Sequence, residues 1–248
     1  MKNGIFLALV LFVLSAPARA DSSLAQRLHE IRTQGFLLCS HLLVYYNNQD
    51  PAGAFYPASR EAYRRSLAEL DMLTATLQDE PELTASLREM KSAIGQLEKQ
   101  PENNRTEYSL WLNPVLRAQG DFDRIAAAQY QESGKPAASV VNLHQLSLDM
   151  SRMLLLYESQ AFSRTGIYSF EVHENSFDEI DQRIGETHKT LEEQLPDAGN
   201  ELKEVWRNYS FIRQRLKTSE QAVIARSASL YLGKSVGTLD RLARNATR

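Results

Sequence analysis

Gly237-Thr238-Leu239-Asp240-Arg241-Leu242-Ala243, near the end of the chain, repeats the pattern of Gly120-Asp121-Phe122-Asp123-Arg124-Ile125-Ala126. Both stretches read Gly, any residue, apolar, Asp, Arg, aliphatic, Ala, and they lie 117 residues apart. Other pairs follow at almost the same offset. Leu28-His29-Glu30-Ile31 is matched by Leu143-His144-Gln145-Leu146, Pro81 by Pro196, and Leu87-Arg88-Glu89-Met90 by Leu202-Lys203-Glu204-Val205, each 115 residues on. Thr76-Leu77 pairs with Thr190-Leu191 at 114. Matches that keep their order and nearly keep their spacing are the mark of a tandem duplication, and a repeat found first decides how the rest of the chain is read.

Within each unit the periodicity is helical. Leu24, Leu28, Ile31, Gly35, Leu38, Leu42 and Tyr45 recur at alternating steps of four and three, an apolar seam of the bundle type. Leu143, Leu146, Met150, Met153, Tyr157 and Gln160 keep the same spacing in the second unit. This predicts a first helix over 22–46, a loop over 49–59, a second helix over 60–78, and a third opened by Pro81 and closed at Gln100-Pro101. Asn113-Pro114 reads as an N-cap and first helical residue, so the fourth helix is expected to break there and resume to about Gln131. Pro136 opens the next helix, a loop spans 163–175, Ser176-Phe177-Asp178-Glu179 is a capping box, Pro196 opens another helix, and the last runs over 219–245. The expected fold is all-α, made of tandem duplicated antiparallel four-helix-bundle units over 21–132 and 137–248, joined by the short stretch 133–136. Two separate bundles and one long bundle, with a helix shared across the joint, both satisfy the pattern.

Residues 1–20 carry Lys2, an apolar run from Ile5 to Leu14, and small residues at Ala18 and Ala20. That is a secretory signal with cleavage expected after Ala20, which would place the mature chain in the periplasm. Removing Lys2 and Arg19 from 28 basic residues leaves 26 against 31 acidic ones, a net charge of −5. A mildly acidic surface gives no electrostatic reason to bind nucleic acid. Cys39 is the single cysteine, so an internal disulfide is excluded; a buried free thiol and an intermolecular bridge are the alternatives.

Few motifs point to catalysis. Gly233-Lys234-Ser235-Val236-Gly237 spells a nucleophile elbow, but that motif needs a strand before the serine and a histidine after it. Here the context is helical and the last histidine is His188. The histidines His29, His41, His144, His173 and His188 form no Glu-x-x-His pair of the di-metal bundle type; no metal and no cofactor is expected. Ala225, Ser229, Gly233 and Gly237 fall at steps of four, a small-residue stripe expected to let another helix approach closely. The rings of Tyr45, Tyr46, Phe55 and Tyr56 gather around the first loop, with Tyr168 and Phe170 in the matching loop of the second unit. Long loops on a rigid scaffold commonly carry binding, which makes the first group a candidate recognition surface.

Gln26-Arg27-Leu28 followed by Arg32 resembles the Gln-Arg-apolar-x-x-x-Arg pattern that opens the extracytoplasmic sensor domains of the PilJ type, found in type IV pilus chemoreceptors and, in related form, nitrate sensors. Glu30-Ile31 stand where the family has Ser-Gln, and the second unit keeps Ser151-Arg152-Met153. The resemblance implies a helical unit near 110 residues that can occur in tandem, and first-helix arginines, here Arg27 and Arg32, facing an anion at a subunit interface. The function expected is an exported, non-catalytic binding or sensor-accessory protein that recognises a small ligand or an envelope or inner-membrane partner, in a form that includes a homodimer. The alternative is a structural, oligomeric protein of the envelope. An enzyme is not expected.

Overall fold

A computed structural model describes residues 3–47, 54–77, 80–101, 108–134, 136–160, 162, 176–216 and 225–247. The described chain is all-α, with α1 (Asn3–Tyr46), α2 (Pro57–Ala75), α3 (Pro81–Leu97), α4 (Tyr108–Glu132), α5 (Ala138–Gln160), α6 (Ser176–Gln194), α7 (Gly199–Leu216) and α8 (Ala225–Ala246). Among the described residues no helix is long and apolar enough to cross a membrane.

In the first half α1 packs on α2, α2 on α3, α3 on α4, and α4 back on α1, which closes a four-helix bundle. The second half repeats this ring with α5, α6, α7 and α8. The bundles join through α1 against α5, with α8 also touching α1. His29 lies against His144 and Phe36 against Arg152, so α1 and α5 run side by side in the same direction. That central position explains their composition. From Ala25 to Asn47 only Arg27, Arg32, Gln34 and His41 escape full burial, and from Leu143 to Ser159 only Gln145 and Arg152 do. A helix covered on every side must be apolar, or hydrogen-bonded, all round. The flanking helices show one buried stripe each, for example Leu83, Leu87, Met90, Ile94 and Leu97 in α3.

Repeat-matched residues occupy matching places. Leu28 and Leu143, Ile31 and Leu146, Phe122 and Leu239, and Ala126 and Ala243 are all fully buried. Asp123 and Asp240 are buried too. Their Arg neighbours are not: Arg124 reaches only Asp121 in its own helix, at 3.7 Å, and Arg241 is exposed. The motif is thus kept for its buried Asp and apolar pair.

Several boundaries differ from expectation. Helix α1 begins at Asn3 rather than at residue 22, so the expected cleavage point lies inside it. Helix α2 starts at Pro57, three residues early, because the proline supplies the first helical φ without needing its N–H. Pro114 does not break α4. The N–H it lacks would have bonded to the carbonyl of Leu110, and both residues are exposed, so water can serve that carbonyl. Pro196 opens a 3-10 turn, Pro196–Ala198, ahead of α7. No helix is shared across the joint: Gly134 takes a φ of 78°, a left-handed turn that stops α4 before α5 begins. The loop over 163–175, with Tyr168, Phe170 and His173, lies outside the described residues, as does the start expected at residue 219 for α8.

Candidate functional site

Four helices meet at the junction of the two bundles: α1 and α4 from the first, α5 and α6 from the second. Between them lies a cavity of about 690 Å³, whose lining carries Arg32, Arg117, Arg124, Arg152 and Arg183. Among the described residues the lining also carries three carboxylates, Asp121, Asp123 and Glu179. Asp149, fully buried, holds Arg183 at 2.8 Å.

Asp123 organises the inner cations. Its Oδ1 accepts from Arg32 Nε at 2.7 Å, and its Oδ2 accepts from Arg152 Nη2 at 3.2 Å and Arg32 Nη2 at 3.4 Å. One carboxylate therefore serves two guanidinium groups, each with five N–H donors. The Arg152 guanidinium also sits over the Phe36 ring, 5.3 Å from its centre, which fixes its plane. Arg32 is only 11% exposed, so this cation is held largely out of water. Beside the cavity stands Gln119, 4% exposed, whose Nε2 is buried without a hydrogen-bond partner. A buried amide donor left unpaired costs roughly 1–3 kcal/mol. Gly35 packs beside it: a Cβ there would sit in ordinary contact, 3.7 Å from Gln119 Nε2 and from the Phe122 ring.

The second bundle resolves the same positions differently. Gly35 and Gln119 correspond to Met150 and Val236, both buried and apolar. Asp240, the counterpart of Asp123, accepts from Ser147 Oγ at 2.6 Å and Thr33 Oγ1 at 3.4 Å, and lies 2.9 Å from His29 Nε2. His29 stacks on its repeat partner His144, with ring centres 4.1 Å apart and 12° between planes. His144 Nε2–H donates to Gln26 Oε1 at 2.7 Å and its Nδ1 lies 2.9 Å from the Tyr130 hydroxyl. Burial, reinforced by His29, lowers its pKa to about 2. Gln26 Nε2 and Arg244 Nη1 both donate to Glu30, at 2.6 Å each. This Tyr130–His144–Gln26–Glu30–Arg244 chain ties α4, α5, α1 and α8 together with its groups satisfied. One side of the junction is closed by polar bonds, and the other is open and cationic.

The remaining candidates fall elsewhere. Arg27 does not line the cavity, and its Nε is buried without a partner. Tyr45 and Tyr46 are buried, corrected from a recognition surface to the cap of the first bundle. Phe55 packs edge-on against both, at 5.4 and 6.0 Å, and Tyr46 meets Tyr108 at 5.1 Å. Phe55 takes a φ of 57°, a strained value for an aromatic residue, held by its N–H donating to the Tyr45 carbonyl at 2.8 Å. Tyr56 alone of the group is exposed, with Arg226 of α8 over its ring. In the small-residue stripe Ala225 is buried, but a Cβ added at Gly233 or Gly237 would meet nothing within 4 Å, so the expected close helix contact is corrected. The buried face of α8 follows Ala228, Leu232, Val236, Leu239 and Ala243 instead. Ser235 lies on it too, 3.5 Å from Asn208 Nδ2. Cys39 is buried and its thiol pKa is pushed up to about 12, which leaves it neither exposed nor reactive. The sequence pointed to Arg32; it missed Arg152, Arg183 and Gln119. The Gly35-to-Met150 difference between repeats was the available signal. No family model, curated protein or solved structure matches this chain.

Proposed function

We propose that the chain is an exported, non-catalytic binding or sensor-accessory protein of the periplasm, and that the cavity at the bundle junction receives a small ligand bearing an oxyanion. The observation that carries this reading is the buried, unpartnered Gln119 Nε2 beside an arginine-lined cavity. A ligand oxygen accepting from Gln119, Arg32 and Arg152 would satisfy a donor the protein leaves unpaired, and charge-assisted bonds of this kind are the strong ones. The resemblance of Gln26-Arg27-Leu28 and Arg32 to PilJ-type sensor domains agrees with it. Any signal would pass to a membrane partner.

The test is a thermal-shift screen of the intact protein against small anions, amino acids and envelope fragments. Stabilisation that grows with the logarithm of ligand concentration, with a Kd at least tenfold weaker in Arg152→Leu, supports the reading, because binding to the native state alone raises stability by RT ln(1 + [L]/Kd). A screen in which no compound stabilises the protein sinks it.

A structural, oligomeric role has an observation of its own. Phe211 and Leu230 are 61% and 67% exposed, and Phe211 touches Tyr231 on the same face of the second bundle. Sedimentation at micromolar concentration separates the two readings: a stable oligomer dissociated by Phe211→Ser favours this one.

A further inference from the structure

The lining of the cavity is of two kinds. Arg32, Arg152 and Arg183 share it with Phe36, Leu155 and Ile180, so charged and apolar side chains both border the space. Its volume of about 690 Å³ falls inside the range of roughly 300–1,000 Å³ typical of sites for organic ligands. A bare oxyanion of a few atoms would engage the arginines and leave the apolar side chains against water. Resting on the binding reading above, we infer that the ligand is an amphipathic organic anion, a single carboxylate or phosphate monoester head on an apolar body.

The arrangement of donors fits one head group. Asp123 takes two N–H groups of Arg32 and one of Arg152, and the other N–H groups of Arg152 meet no hydrogen-bond acceptor among the described residues. The Phe36 ring carries the Arg152 guanidinium 5.3 Å from its centre and is itself part of the apolar lining. The head would therefore sit on the free edge of Arg152, with the body running along Phe36 toward Leu155 and Ile180. The comparison between bundles agrees. Where the second carries Met150 and Val236, which fill their space with apolar volume, the first carries Gly35 and Gln119. The amide at Gln119 supplies a donor to a lining that is otherwise partly apolar, which suits an occupant with a polar head and an apolar body.

The test uses the intact protein with decanoate, decyl phosphate, decanol, acetate and inorganic phosphate, each below any micellar concentration, read by thermal shift and titration calorimetry. Decanoate or decyl phosphate is expected to raise the melting midpoint with the logarithm of its concentration, by about 5–11 °C at one hundred times its Kd. The arm that binds tighter identifies the head. Decanol, acetate and inorganic phosphate are each expected to bind at least tenfold more weakly. Gln119→Leu, which removes an unpaired buried amide and so keeps the fold, and Arg152→Leu should each weaken binding tenfold or more. Acetate or phosphate binding as tightly as its decyl partner overturns the amphipathic ligand and leaves the anion-binding reading standing. No stabilisation by any of the five overturns both. Undiminished decanoate and decyl phosphate affinity in both variants places the ligand elsewhere and overturns the inference.

Discussion

Acidification from pH 7 to pH 5 will destabilise this protein by about 2 kcal/mol more than it destabilises the His144→Gln variant. The magnitude follows from the surroundings of His144. Its ring is buried between His29, Tyr130 and Gln26, with Nε2–H donating to Gln26 Oε1 and Nδ1 beside the Tyr130 hydroxyl. Burial, with His29 adding to it, brings its pKa from 6.5 to about 2. The folded value lies below the unfolded one, so the unfolded chain takes the proton first. Stability is whole above pH 6.5 and falls as pH drops from there toward about 2. At pH 5 the unfolded imidazole is about 1.5 units past its midpoint, and each unit is worth about 1.4 kcal/mol, which gives the figure above. That corresponds to about 4–8 °C in melting midpoint for a chain of this size. His41, lowered to about 4 by burial and the neighbouring Arg65, has the same sign, and Glu158 the opposite one. Both are present in the variant and cancel from the difference. Urea denaturation of both proteins at pH 7, 6 and 5 measures it. Parallel pH dependences would refute the neutral, buried His144 on which the closed side of the junction depends.

Glu158 is fully buried, its Oε1 has no partner, and burial raises its pKa well above 4.5. A raised acid supports the fold below pH 4.5 and that support is lost as pH climbs, so Glu158→Gln should raise the melting midpoint at pH 7, with the gain shrinking by pH 4. Gly233→Ala with Gly237→Ala should stabilise the chain by about 1 kcal/mol each through helix propensity, since nothing crowds either position, and a lowered midpoint would restore the close helix contact. Tyr46→Ala, which empties the aromatic cap, should cost about 3–5 kcal/mol in a urea titration while leaving the decanoate affinity of the folded fraction unchanged; a weakened affinity would return the aromatic group to the binding site.

The two closed bundles were legible because a duplication doubles every signal. Leu28 with Leu143, Pro81 with Pro196, and Asp123 with Asp240 each vouch for the other. The aromatic residues were misplaced because helical spacing assigns Tyr45 to a buried seam and proximity assigns it to a loop, and only packing decides; here Phe55 folds back over the end of the helix. The small stripe failed for a related reason. Steps of four at Ala225, Ser229, Gly233 and Gly237 drift away from the apolar stripe at Leu232, Val236 and Leu239, so the residues that look shaped for contact rotate toward solvent. Arg152 and Gln119 could not be paired from the chain, because they lie 33 residues apart on helices of different bundles. What sequence did hold was the break in symmetry at Gly35.

The central claim, that the Gln119 amide waits for a ligand oxygen at the bundle junction, is tested most directly by following its side-chain NH₂ signals in a proton–nitrogen correlation spectrum, assigned by their loss in Gln119→Leu, during titration with decanoate. Engagement predicts a downfield shift of one Gln119 Nε2 proton that saturates with the same Kd as the thermal stabilisation, together with slower exchange with water. Decanoate that saturates the protein while the Gln119 signals stay in place would contradict it.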